Sequence, residues 1–255
     1  MLEGLIFDII FLSISFGVYF IYHIFLMITV KRNPLNTVIG RNHHFRRTWV
    51  DIMIDGKKDI LAVQTLRNMV MSSTLLASTS ITLVVLIINI LVSQTLTSVL
   101  DKIRIIGAHN NDILIYKAFI LIVVFLFSFL NFASSIRYVT HLAFLLNVAP
   151  TYKDCTKEYC YKTLLNGSNH YTVGVRSFYF SMTIILWFFD PLFLLLGTLI
   201  IVYWLYIGDI SHYIIPSKEK VKKSKSKNSN SNSNSFDEES RIGELSPIEL
   251  EKVKK

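Results

Sequence analysis

The sequence predicts an all-α integral membrane protein with four transmembrane helices, a cytoplasmic amphipathic helix and a disordered C-terminal tail. Three observations carry this expectation. Stretches 5–30, 71–100, 113–136 and 178–207 each stay apolar for longer than the roughly 20 residues a helix needs to cross ~30 Å of hydrocarbon. The 255-residue chain is 52% hydrophobic and only 17% charged, too apolar for soluble domains of that length. Lipid offers the backbone no hydrogen bonds, so each stretch must pair its own N–H and C=O groups as a helix. Residues 1–215 are expected to form one membrane domain and 216–255 a polar tail.

Composition excludes several classes. A net charge of +8 would suggest nucleic acid on a soluble protein. Here the lysines and arginines mostly flank apolar spans, so phospholipid headgroups are the expected counter-charge and no nucleic-acid partner is expected. Cys155 and Cys160, five apart in one expected loop, are too few for a disulfide framework and read as ordinary thiols. Glu3 in place of a basic n-region, with so long an apolar run, predicts a first span retained in the mature chain. With no lipidation motif in the sequence, anchorage is expected to rest on the spans.

Span one carries Asp8 near its start and Tyr22 and His23 near its end, and stops at Lys31, Arg32 and Pro34. Between 33 and 58, Phe45, Trp49, Ile52 and Met53 recur at helical spacing, with Arg46, Arg47 and Asp51 on the other side, so an interfacial helix is expected. Asp59 is the expected N-cap of a helix running to Ser93, about 35 residues and ~52 Å long, whose first turns protrude from lipid. Along it Thr74, Ser78 and Thr82 repeat every four residues, a stripe that admits a neighbouring backbone. Span three is expected to continue through Arg137, Tyr138 and His141 to Asn147. Its stripe Ser128, Asn131, Ser135 and Tyr138 is expected to meet span two.

Span four contains Asp190 and Pro191 near its middle, where a kink is expected. Beyond Pro216, alternating Lys and Ser, then Ser-Asn repeats, lack the apolar surface to offset ordering entropy. Within that tail, Ser246, Pro247 and Glu249 form a capping box for a marginal helix.

Charge sets the expected orientation. Lys31, Arg32, Arg41, Arg46, Arg47, Lys57, Lys58 and Arg67 follow span one, against Lys102 and Arg104 after span two, which predicts a non-cytoplasmic N-terminus. Arg137, Lys153, Lys157, Lys162 and Arg176 after span three agree. The tail disagrees, because four spans would return its lysines to the outside. Either the tail is too distant to count, or the Asp190–Pro191 break makes span four a re-entrant hairpin; four plain spans are the preferred reading. The sequon Asn166-Gly167-Ser168 falls in a segment expected on the cytoplasmic side.

Candidate chemistry is sparse. His43, His44, Arg46 and Arg47 read as a grip for an anionic headgroup or as a plain charge flank. Asp190 reads as the cap of a second half-helix, or as a proton-pathway acid. Asp8 lies within reach of the interface and is assigned no role. Gln64, Arg67, Asn68, Arg137 and His141 stand at one expected depth and side, where they line a cationic pocket or satisfy one another. No histidine pair has helical metal-ligand spacing, and no metal site or cofactor is expected.

Tyr22-His23, Asn33-Pro34 to Arg41-Asn42, Arg46 to Trp49, KDILAVQTLRNMVMSSTLL at 58–76, FLFSFLNFASSIRYV at 125–139, VGVRSFYFSM at 173–182 and the Trp187 to Pro191 turn carry a resemblance. Over about residues 15–207 the chain resembles the domain of unknown function 599 family of multi-pass membrane proteins. The resemblance implies a four-helix membrane architecture and no assigned reaction. It also implies a glycine before the span-four proline, where this chain has Asp190, which weakens a proton-pathway role.

These readings converge on a non-enzymatic scaffold or lipid-binding bundle. Its cytoplasmic mouth of Arg46, Arg47, Gln64, Arg67, Asn68, Arg137 and His141 is expected to bind anionic lipid or an acidic partner protein, with a homo-oligomer also open. The competing class is a small oligomeric transporter or channel. No serine–base pair, paired carboxylates or multi-histidine motif supports an enzyme.

Overall fold

The computed structural model describes residues 2–93, 111–149, 151–152 and 155–210. The loop with Lys102 and Arg104, the stretch 94–100 assigned to span two, and the whole 216–255 tail with its capping box lie outside the described residues. Six α-helices carry the described chain: α1 Leu2–Arg32, α2 Val38–Asp55, α3 Asp59–Ser93, α4 Asn111–Val148, α5 Lys157–Leu186 and α6 Pro191–Asp209. Four of them, α1, α3, α4 and α6, are long and apolar enough to cross a membrane.

Local chemistry accounts for the helix ends. A short 3-10 turn at Pro34–Asn36 breaks the chain after α1. Thr37 then caps α2, its hydroxyl accepting from the Gly40 amide at 3.2 Å while donating to the Pro34 carbonyl at 3.0 Å. A Cβ on Gly40 would fall 2.1 Å from the Pro34 carbonyl oxygen, so this entry turn has room only for glycine. Thr156 caps α5 in the same way. Asp59 departs from expectation. It is the first residue of α3, and the helical ladder starts from the Lys58 carbonyl, so its carboxylate complements the positive helix start from the first turn.

The larger departure is in span four. The stretch 178–207 is no kinked helix. Its first part is the end of α5; the chain then turns over 187–189 and returns as α6. Asp190 caps the returning helix, accepting from the Leu192 amide at 2.9 Å, and Pro191 takes the first helical position, where it has no amide to waste. Gly197 of α6 packs against Thr183 and Leu186 of α5, as an antiparallel hairpin requires. The last residue of α6 reaches Arg176 and Tyr22, and Ile210 pairs with Thr37 in an isolated antiparallel bridge. The described chain therefore makes five passes along the bundle, and Ile210 ends beside α2.

Helix α4 is the axis of the bundle, packed on both α3 and α5, whereas α1 packs chiefly on α6. Its polar stripe faces α5 and not α3. Ser128 donates to the Gly174 carbonyl at 2.8 Å, the Asn131 carboxamide oxygen accepts from His170 Nδ1 at 3.1 Å, and Tyr138 stacks on His170. Glycines explain the choice of neighbour, since α5 offers Gly167 and Gly174 opposite this stripe and α3 offers no glycine. Helix α3 turns Ser73, Ala77, Ser80 and Val84 inward. Thr74, Ser78 and Thr82, expected at that contact, face outward, with Thr74 and Thr82 bonded back to carbonyls four residues earlier.

Three apolar clusters fill the described interior. Near α2, Val50, Met53, Ile54, Leu66, Leu142, Leu146, Cys160 and Leu164 join α2 to α3, α4 and α5. Toward the other end, Val84, Leu121, Phe125, Phe180, Ile184, Trp187 and Leu194 join α3, α4, α5 and α6, and a smaller cluster of Tyr22, Leu26 and Leu205 joins α1 to α6. Of the residues placed on the apolar face of the amphipathic helix, Met53 is buried and Trp49 packs beside it, whereas Phe45 and Ile52 remain exposed and Val50 and Ile54 are buried in their place.

Candidate functional site

Helix α2 lies against the first half of α5, held by Lys157 to Asp55 and by Arg47 to Glu158 at 2.8 Å. That placement opens a groove of about 380 Å³ between α2, α3 and α5. It is lined by Asn42, Phe45, Arg46 and Trp49 from α2, Thr65, Leu66 and Met69 from α3, and Leu164 from α5. Its walls are mainly apolar, and Arg46 is their one charged residue. Among the described residues no carboxylate pairs with it. Burial pulls the Arg46 pKa below the usual guanidinium range, with Tyr161 opposing, yet arginine stays charged. Burial, and then the Arg46 charge, likewise lower the pKa of His43, against Asn169. A half-desolvated cation on apolar walls has the chemistry to hold an anion joined to a hydrocarbon body.

Of the seven residues expected at the cationic mouth, only Arg46 lines this groove. Arg47 is exposed, paired with Glu158 and set over the Tyr161 ring. Gln64, Arg67 and Asn68 point outward from α3, Gln64 toward a shallow cleft with Lys57, Lys58 and Asp59. Arg137 is exposed over Tyr138, and His141 is exposed with Nε2 3.4 Å from the Tyr159 hydroxyl. Among the described residues no cluster of three or more metal-ligating side chains occurs.

Two buried ion pairs lie deeper, and sequence reasoning missed both. At the end away from α2, Lys117 of α4 meets Asp8 of α1 at 2.8 Å. Trp187 Nε1 donates to the same Asp8 oxygen at 2.7 Å, and the Lys117 ammonium donates to the Trp187 carbonyl while lying 4.8 Å from its ring centroid. Asp8, expected near the interface without a role, is thus enclosed in the bundle. At the α2 end, Arg176 Nη2 of α5 donates to both carboxylate oxygens of Asp209 at 2.6 and 2.7 Å. Tyr22 of α1 donates to Asp209 as well, Tyr19 donates to the Arg176 carbonyl, and His23 Nε2 stands 3.4 Å from Arg176 Nη1.

A usable signal existed for one of them. Lys117 is the lone charge in 113–136, and an ionisable residue within a span calls for a partner. Arg176 reads in sequence as a loop charge, and only a reversal of the chain brings Asp209 to it.

Buried charges paired across apolar helices, four of which are long enough to span, define a multi-pass membrane helical bundle. The family model described as protein of unknown function, DUF599, matches residues 10–213, and the chain belongs to that family. That match takes in Tyr22, His23, Arg176 and Asp209. No curated protein and no solved structure matches the chain.

Proposed function

We propose that the protein is a non-enzymatic, anionic-lipid-binding membrane bundle, with the groove beside α2 as its headgroup site. The observation that carries this reading is Arg46, a half-buried guanidinium on apolar walls with no carboxylate beside it among the described residues. An anionic headgroup supplies the missing charge, and its acyl chain meets Trp49, Leu66 and Met69. The other mouth residues add charge at a distance, each worth about 1 kcal/mol near an anionic surface.

The reading assigns the α2 end to the cytoplasm and the N-terminus to the opposite side. Five passes support it. They return Ile210 to the α2 end, and the lysine-rich sequence after it then agrees with the positive-inside rule, which four plain spans could not achieve.

Native mass spectrometry of protein purified from its own membranes tests the proposal. Wild type is expected to retain anionic phospholipid, and Arg46→Gln to lose most of it. No retained lipid, or equal retention by both, overturns the reading. The outward hydroxyls of α3 favour a second reading, a small oligomeric transporter or channel with a polar path between copies; solute flux in reconstituted vesicles decides it.

A further inference from the structure

The geometry points to His23 as a proton-binding site that releases the Arg176–Asp209 clasp, loosening the α1–α6 pair from α5 on acidification. Hydrogen bonding fixes the ring's protonation. His23 Nδ1 lies 2.8 Å from the Tyr19 carbonyl, which can only accept, so Nδ1 carries the proton. Nε2 then presents a lone pair to Arg176 Nη1, which can only donate, at 3.4 Å. In this arrangement the neutral ring steadies the guanidinium.

A second proton has one place to go, Nε2. It would set an N–H against an N–H and a cation against a cation, across the contact that positions Arg176. The groups facing His23 are Tyr19 and Tyr22 on its own helix, Arg176 on α5 and Asp209 on α6. Asp209 would attract an imidazolium, but both its oxygens are already held by Arg176, and one of them by Tyr22 as well. An imidazolium therefore competes with Arg176 for Asp209. The Arg176 clasp is weakened as pH falls below the ordinary histidine value of ~6.5. This inference does not depend on the lipid-binding reading.

The test uses full-length protein in lipid nanodiscs and two measurements. Hydrogen exchange, corrected for the intrinsic pH effect, is followed in peptides covering 19–30 and 200–210, with α4 as the reference. Between pH 7.5 and 5.5 wild type is expected to lose roughly fivefold or more of its protection there, a change worth about 1 kcal/mol. His23→Gln, which cannot bind a second proton, is expected to show no such pH step. Unchanged wild-type protection, or the same step in His23→Gln, overturns the proposal. The second measurement needs no variant: 15N NMR of histidine-labelled wild type at pH 7.5 is expected to show His23 protonated at Nδ1. Protonation at Nε2 instead overturns it.

Discussion

The two buried ion pairs join different helices, α1 to α4 and α5 to α6, with different chemistry. At the end away from α2, the Lys117 and Asp8 side chains are only 1% and 3% exposed and are closed in by an indole. At the α2 end, Arg176 and Asp209 are 9% and 12% exposed and share their surroundings with two tyrosines and a histidine. Lysine is a point charge, satisfied here by one carboxylate, a carbonyl and a ring face; arginine presents a planar fork that several partners read at once. The first pair resembles a rivet, fixed once α1 and α4 are in register. The second is a network whose members can be changed one at a time, and the proposed proton switch is sited there.

Removing one member of each pair sharpens that contrast. Lys117→Met leaves Asp8 charged and enclosed, and a loss of about 3–5 kcal/mol is expected in denaturant unfolding. Adding Asp8→Asn should restore most of it, because the cost lies in the orphaned charge. Asp209→Asn keeps an acceptor for Arg176 and Tyr22 at a more accessible site, so a smaller loss, about 1.5–3 kcal/mol, is expected by the same measurement. If the two losses come out in reverse order, burial does not distinguish the pairs.

Packing and surface changes should matter less. A Cβ at Gly174 would stand 2.9 Å from the buried Phe132 ring, so Gly174→Ala is expected to cost about 1–3 kcal/mol in thermal unfolding, through forced repacking of α4 on α5. His43 gives a pH effect of known sign. Its pKa is lowered in the folded state by burial and by Arg46, so its contribution is intact above ~6.5 and lost as pH falls below. Hydrogen exchange in α2 should therefore rise on acidification in wild type and in His23→Gln alike, but not in His43→Gln. Smallest of all, Arg47→Ala removes an exposed pair with Glu158, and a change within about 1 kcal/mol is expected in unfolding.

Much of the fold was legible because lipid leaves so few choices. The 59–93 helix and the extension of α4 past the apolar stretch followed from continuous periodicity without a breaker. Asp190 as a cap followed from its place before Pro191. What stayed open was direction, with a re-entrant hairpin at Asp190–Pro191 as the less favoured reading. A cap and proline are equally compatible with a kink and with a reversal, and only tertiary contacts decide between them. Two consequences trace to that ambiguity: Arg176 reads in sequence as a loop charge with no partner at Asp209, and the lysines after α6 read against the positive-inside rule. The facing of polar stripes was lost for another reason. Serines and threonines recur so densely in α3 that adjacent registers, 73/77/80 and 74/78/82, read alike until α4 selects one.

The reversal at Asp190–Pro191 underlies the five passes, the Arg176–Asp209 pair and the sidedness proposed for the chain. Cysteines at positions 37 and 210, introduced together as Thr37→Cys and Ile210→Cys, test it most directly, because residues joined by an antiparallel bridge lie within disulfide range. Peptide mass spectrometry after mild oxidation of the membrane-embedded double variant is expected to find the 37–210 link. A folded double variant that never forms it would contradict the reversal, and would return α6 to the continuation of a single span.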